Sequence, residues 1–214
     1  AEADDPESNF NKEQESLFLK GLEILHSNKI YPKWIHLGNS GGIFLLKNKI
    51  FNAFRPGISF YGYSPFKSEI DEDLDKTKEL KPALSLKSTI VATHKALAGD
   101  KISYGNSLKL DENLNIAIIP FGYFEGLDRR FSNCAKFLYR NKEDIFWVKI
   151  AGKVCMNLTC LNFKNREVGV GEQVEIISEM KNMENSLQNL SEKIGILNYE
   201  MLVSLNSNIK RIVK

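Results

Sequence analysis

Apolar positions recur with two different periods along this chain, and the change between them divides it. From about Phe10 to His26, Leu17, Gly21/Leu22 and Leu25 fall on one helical stripe with Phe18 beside it, while Lys12, Glu13, Glu15 and Lys20 suit the wet side. Ser8 or Asn9 caps this helix, and Asn28 followed by Pro32 ends it. The apolar run Trp34-Ile35-His36-Leu37, bounded by Gly38, predicts a short buried strand of the parallel-sheet kind. Asn39-Ser40-Gly41-Gly42 opens a second helix reaching about Leu46, a further strand covers roughly 50–54, and another apolar run covers 58–61. Helices alternating with short buried strands predict an α/β unit.

The pattern then shifts at Ser64-Pro65. Residues 67–82 are rich in charge and read as a surface connector. Beyond Pro82 the period becomes two: Leu84, Leu86, Ser88, Ile90 and Ala92 alternate with Ser85, Lys87, Thr89, Val91 and Thr93. Further β runs are expected at 115–119, 136–140, 144–150 and 173–177, punctuated by glycines, with a late helix over 192–205. The domains predicted are therefore 1–66 (α/β), 67–82 (connector) and 83–214 (antiparallel β). The first part has too few strands to close a barrel and would leave open edges, so a preceding N-terminal half is expected.

Composition narrows the partners. The chain has 214 residues, 29 basic and 27 acidic, for a net charge of +2. That balance argues against nucleic acid or an anionic membrane as the main partner. No apolar run is long enough to span a bilayer. The acidic, polar start at Ala1 to Glu7 lacks the basic and apolar regions of a signal peptide. The three cysteines, Cys134, Cys155 and Cys160, have neither zinc spacing nor an even number, and read as free thiols in a reducing cytoplasm; no metal is expected.

Several residues carry candidate chemistry. Arg55 ends a predicted strand, and Gly57 and Ile58 just past it offer backbone N–H groups suited to phosphate oxygens. Ser40, at a helix start, is either a second phosphate donor or a plain N-cap. His36 can steer Arg55 by a hydrogen bond or serve as a satisfied core histidine. Tyr104, between Ser103 and Gly105, presents a phenol at a strand-to-turn edge. Tyr123, Cys155 and Met156 are consistent with a site or with ordinary turn and core positions.

The joint order of these segments resembles the alanine racemase family of fold-type III pyridoxal-phosphate enzymes. His36 with Asn39-Ser40-Gly41-Gly42 is similar to that family's His-x-x-Asn-Ser-Ala-Ala, and Arg55-Pro56-Gly57-Ile58 with Tyr61-Gly62 to its Arg-Pro-Gly-Ile-x-x-Tyr-Gly. Leu80 to Leu84, Ser103-Tyr104-Gly105, Gly122-Tyr123 with Arg129-Arg130, and Gly152 to Met156 extend the likeness over essentially the whole chain. The resemblance implies the C-terminal part of a TIM-type (β/α)8 barrel followed by an antiparallel β domain. It implies pyridoxal 5'-phosphate as cofactor, its phosphate held by Ser40 and the backbone of Gly57 and Ile58. Arg55, supported by His36, would face the pyridine nitrogen. Tyr104 would be one of two bases, Met156 would bind the substrate carboxylate through its N–H, and Tyr123 would narrow the entrance. The substrate implied is alanine, in a cytoplasmic head-to-tail homodimer whose active sites are shared between subunits, with D-alanine serving peptidoglycan.

The resemblance also implies gaps. The family's cofactor lysine, its substrate-side arginine and the histidine behind the tyrosine lie upstream of Ala1, so the fragment alone is expected to be inactive. Asn157-Leu158 replaces a frequent Asp-Gln, Lys153 a frequent arginine, and Ser207 lies where a phosphate-binding tyrosine often stands. Two further readings fit these departures: a non-catalytic paralogue acting as a binding module, and a racemase of the same type acting on serine.

Overall fold

The computed structural model describes residues 2–66 and 76–213. They form two compact units, Ala1–Ala83 and Leu84–Lys214. Of the charged stretch read as a connector, residues 67–75 lie outside the described residues.

In the first unit, helix α1 (Asn9–Ser27) starts where the Ser8 hydroxyl accepts a hydrogen bond from the N–H of Phe10. It ends at Asn28, as expected. Its inner face is not the predicted stripe. Leu22 is buried and Phe18 packs on Phe51 with ring centroids 5.6 Å apart, whereas Leu17 is 73% exposed and Leu25 also faces out. The two predicted strands at 34–37 and 50–54 are extended but form no ladder, and Trp34 is 62% exposed. Only two backbone bonds join them: Asn52 N–H to Ile35 O at 3.0 Å and Arg55 N–H to Gly38 O at 3.0 Å. The Asn52 side chain does the rest, accepting from Ile35 N–H and donating to Lys33 O. A strand in a parallel sheet needs partners from distant segments, and among the described residues this pair has no third member.

The second helix, α2 (Ser40–Leu45), lies between the two runs in the chain, and the expected apolar run at 58–61 is a 3-10 turn, Ile58–Tyr61, rather than a strand. The turn closes at Gly62, whose φ is +84° and whose missing Cβ would sit 1.8 Å from Lys81 O. Only glycine allows that approach.

The second unit is built on strands β1 (Leu86–Thr89), β2 (Ala92–Ala96), β3 (Lys101–Ile102), β4 (Leu108–Lys109), β5 (Leu114–Ile119), β6 (Lys136–Arg140), β7 (Ile145–Ile150), β8 (Thr159–Asn162) and β9 (Gln173–Ile177). Seven of them form one antiparallel sheet in the order β1-β9-β6-β7-β8-β5-β2. The single strand expected over 84–93 is thus two strands at opposite ends of this order. At Ile90 the chain pairs with Gly171 and Glu172 on one side, and at Val91 with Ile118 on the other. The sheet therefore curls until its two ends meet at these residues, which limits open edge. Phe137, Val148, Ile150, Leu161, Val174 and Ile176, all at 1% exposure or less, fill the interior. The late helix is also divided, into α3 (Leu187–Ile194) and α4 (Asn198–Ser204), because Gly195 adopts a left-handed conformation with φ +68° and caps the first.

Tyr139 gives this core a pH dependence. Its ring, 2% exposed, lies 4.8 Å from Phe146 and 5.3 Å from Phe163, and its hydroxyl donates to Glu172 Oε2 at 2.6 Å. Burial, then the Glu172 carboxylate, push the phenol up to about 12. An unfolded tyrosine ionises near 10. The folded state therefore holds this proton more tightly, so its contribution is whole below about 10 and is lost as pH rises towards 12. Urea midpoints followed from pH 9 to 12 are expected to fall less steeply in Tyr139→Phe; equal slopes would exclude this source.

Candidate active site

The first unit carries five of the predicted residues, His36, Ser40, Arg55, Gly57 and Ile58. The parallel register of 35 with 52 and 38 with 55 places His36 beside Arg55, and Arg55 Nη1 contacts His36 Nδ1. Arg55 Nη2 also donates to Leu37 O at 3.1 Å. The guanidinium is thus oriented from two points while remaining exposed. Ser40 does not cap α2. Asn39 does, accepting from Gly42 N–H at 3.1 Å. Ser40, 2% exposed, instead receives Gly57 N–H at 2.7 Å and Ser59 N–H at 3.3 Å on its Oγ. Between those two amides lies Ile58, fully buried, whose N–H opens the 3-10 turn and has no hydrogen-bond partner among the described residues. A buried donor without a partner is costly and points to an acceptor arriving from outside the chain. The Ser40 hydroxyl, which accepts from two amides and keeps its own proton to donate, and the unpartnered Ile58 N–H beside it suit a phosphate oxygen.

The second unit mounts the other predicted residues. Strands β3 and β4 form a hairpin whose root residues Ile102, Leu108 and Leu110 pack in a cluster with Ala96, Leu114, Ile116 and Ala151. At its tip the 3-10 turn Tyr104–Asn106 leaves Tyr104 69% exposed. The tip is tied to the loop 152–156 through Ser103. The same loop exposes Met156, whose N–H has no partner among the described residues. Tyr123 is held against that loop by its backbone: Tyr123 N–H donates to Cys155 O at 3.0 Å and Phe124 N–H to Met156 O at 2.9 Å.

Some contributors were not anticipated. Ser103 and Asn133 adopt positive φ, at 67° and 59°, which no local composition signals. Glu125 is a third: its Oε2 accepts from Gly122 N–H at 2.8 Å and its Oε1 from Asn157 Nδ2 at 2.9 Å. This gives Asn157 a reason. An aspartate there would set two carboxylates in contact, and one would hold its proton above the usual range. Such a raised carboxylate contributes less as pH rises. Asn157→Asp is therefore expected to lose more thermal stability at about pH 7 than at about pH 4; equal losses, read by calorimetry, would exclude the repulsion.

Among the described residues, no group of three or more His, Cys, Asp and Glu side chains could hold a metal ion, and all three cysteines are free thiols. Among the same residues no helix is long and apolar enough to cross a membrane.

Comparison with known proteins agrees with both halves. The family described as "Alanine racemase, N-terminal domain" matches residues 1–65, and "Alanine racemase, C-terminal domain" matches residues 83–213. A curated relative, alanine racemase of Borreliella burgdorferi (strain ZS7), is 38% identical over 95% of this chain and 52% of its own length. Among solved structures, alanine racemase from Bacillus anthracis with bound L-Ala-P aligns at a TM-score of 0.79 and 28% identity, covering 96% of this chain and 51% of that one. Alanine racemase from Bartonella henselae, solved with covalently bound pyridoxal phosphate, shares the fold at a TM-score of 0.77 and 24% identity, covering 100% of this chain and 55% of that one.

Part of a (β/α)8 barrel followed by an antiparallel β domain, the fold class expected from the sequence, is the architecture of fold-type III racemases. The chain belongs to the alanine racemase family. It spans about half the length of the curated relatives it matches.

Proposed function

We propose that these residues supply the cofactor-phosphate cradle and one of the two proton-transfer groups of a pyridoxal-phosphate-dependent alanine racemase. The observation that carries this reading is the buried, unpartnered Ile58 N–H between two amides already gathered on Ser40 Oγ. It fits a phosphate, and family membership supplies the identity of the group bearing it. When bound, pyridoxal phosphate provides an electron sink that lets the α-carbon of an amino acid lose its hydrogen as a proton.

The chain's own residues then have defined tasks. The Ser40 hydroxyl and Ile58 N–H would hold the phosphate, with Gly57 N–H, which donates to Ser40 Oγ, sharing its hydrogen with it. Arg55, steadied by His36, would lie at the pyridine nitrogen, and because a guanidinium keeps its proton it would leave that nitrogen without one. Tyr104 Oη gives and takes a proton on one face of the substrate. Met156 N–H binds the substrate carboxylate, and Tyr123 narrows the approach. The opposite face falls to a lysine in the family's N-terminal half, outside these 214 residues. Taken alone, the 214 residues are expected to form no stable link to the cofactor that borohydride fixes at one defined lysine. The working enzyme is read as a head-to-tail homodimer in which Tyr104 serves the partner's barrel, as the family pattern implies. Its free thiols suit the cytoplasm, where D-alanine for peptidoglycan is made.

The direct test is hydrogen exchange at the α-carbon of alanine in heavy water, using a chain that carries the whole barrel. Exchange of both enantiomers with interconversion supports the reading; exchange of serine alone, or none, overturns it. Ser40→Ala removes one bond to a charged group, and is expected to weaken binding of pyridoxal phosphate by roughly tenfold or more while leaving unphosphorylated pyridoxal unchanged. Equal weakening of both ligands, measured by titration, would place Ser40 elsewhere.

A further inference from the structure

The turn that carries Tyr104 is held in a conformation that its sequence disfavours. Ser103 has φ 67° and ψ 175°, a region open to glycine and unfavourable for any residue with a Cβ. Glycine would fit there at lower cost, yet serine is present, and its hydroxyl is fully used. Ser103 Oγ donates to Lys153 O at 2.9 Å and accepts from Lys153 N–H at 3.0 Å, so it occupies both backbone groups of one residue. The fit is close: Gly152, at φ +80°, has its Cβ position filled by Ser103 Cβ at 2.5 Å. From the other side the same segment is anchored by Asn133 Oδ1, which accepts from Gly152 N–H at 2.7 Å, and by Ser132 Oγ, which accepts from Val154 N–H at 3.0 Å. Lys153 is therefore a fixed strut, and Ser103 fastens the tyrosine hairpin to it. Three residues further on, the strut presents Met156 N–H.

We propose that Ser103 is a positioning residue for Tyr104: its hydroxyl, bridging the N–H and C=O of Lys153, sets the phenol in one frame with the amide of Met156. The proposal rests on the reading of Tyr104 as a one-face proton-transfer group. It explains why an unfavourable backbone conformation is kept: the hydrogen bonds of the hydroxyl offset it, and a phenol on an exposed tip gains a fixed distance to the carboxylate site. Ser103 itself touches no reacting atom and is not assigned any proton transfer.

Two variants separate positioning from mere stability. Ser103→Ala removes the bridge and keeps the strain; Ser103→Gly removes both. In the 214-residue chain, the Lys153 amide is expected to exchange with heavy water about tenfold faster in either variant, with amides of Phe137 and Val148 unchanged. In a chain carrying the whole barrel, α-hydrogen exchange is followed for L- and D-alanine separately. Both variants are expected to slow the enantiomer that Tyr104→Phe silences, by about tenfold to a hundredfold, leaving the other within about twofold. In a Tyr104→Phe background neither should slow it further, since both changes act through one group. Wild-type exchange of both enantiomers in Ser103→Gly, or an unchanged Lys153 amide, overturns the assignment of Ser103. If Tyr104→Phe itself slows both enantiomers alike, the underlying reading of Tyr104 fails and the assignment falls with it.

Discussion

Tyr104→Phe is expected to slow α-hydrogen exchange from one enantiomer of alanine by about 10²- to 10⁴-fold, the usual contribution of a positioned acid or base, while exchange from the other enantiomer persists. The asymmetry follows from planarity. Once the α-hydrogen has left, each face of the substrate needs its own proton carrier, and this chain offers one phenol on a rigid tip. Because Tyr104 is 69% exposed, losing its hydroxyl should leave thermal stability within about 0.5 kcal/mol. Exchange in heavy water, with the two enantiomers assayed separately in a chain carrying the whole barrel, reads the effect. Equal slowing of both would remove Tyr104 from this role.

Gly122→Ala is expected to produce the largest stability loss at the site, on the order of 3 kcal/mol as in other overpacked positions. The added Cβ would lie 2.3 Å from both Cys155 O and Met156 O and 2.6 Å from Met156 C. These are backbone atoms, so no side chain can rotate away. The loop 122–127 must move off the loop that holds Met156, breaking the Tyr123–Cys155 and Phe124–Met156 backbone bonds. Gly99→Ala is the control: at φ +93° it is strained by about 1–2 kcal/mol but meets nothing within 4 Å. Urea denaturation followed by fluorescence compares them. A loss in Gly122→Ala no greater than in Gly99→Ala would show that the two loops are not packed as described.

Legibility in the sequence differed between the two units for a physical reason. The antiparallel strands are readable because one face packs on the core and the other meets solvent, which writes an alternation into each strand whatever its neighbours: β6 and β9 fall at the predicted 136–140 and 173–177. The runs at 34–37 and 50–54 were read as buried strands from apolarity alone, but such strands are completed by distant neighbours. With only each other as described partners, they are joined by two backbone bonds and leave Trp34 and Phe54 exposed. Thr159–Asn162 and the returning strand β4 are not legible in the sequence, because so few residues carry no readable period.

The site shows the same division. The order of Ser40, Arg55-Pro56-Gly57-Ile58, Ser103-Tyr104-Gly105 and Gly152 to Met156 along the chain was sufficient to indicate the family, since residue types at functional positions are written locally. Their geometry was not. That Ser40 gathers the Gly57 and Ser59 amides, rather than capping its own helix, depends on a contact seventeen residues away. That Ser103 bends into a glycine-like conformation to bolt Tyr104 onto Lys153 depends on one fifty residues away. Side-chain identity and period are properties of neighbours in sequence, so the chain alone determined the class of chemistry and the order of its two parts. Hydrogen bonds between distant backbone groups form only when the fold brings them together, so the tertiary structure alone decided which amide stays unpartnered for an anion and how the phenol is held.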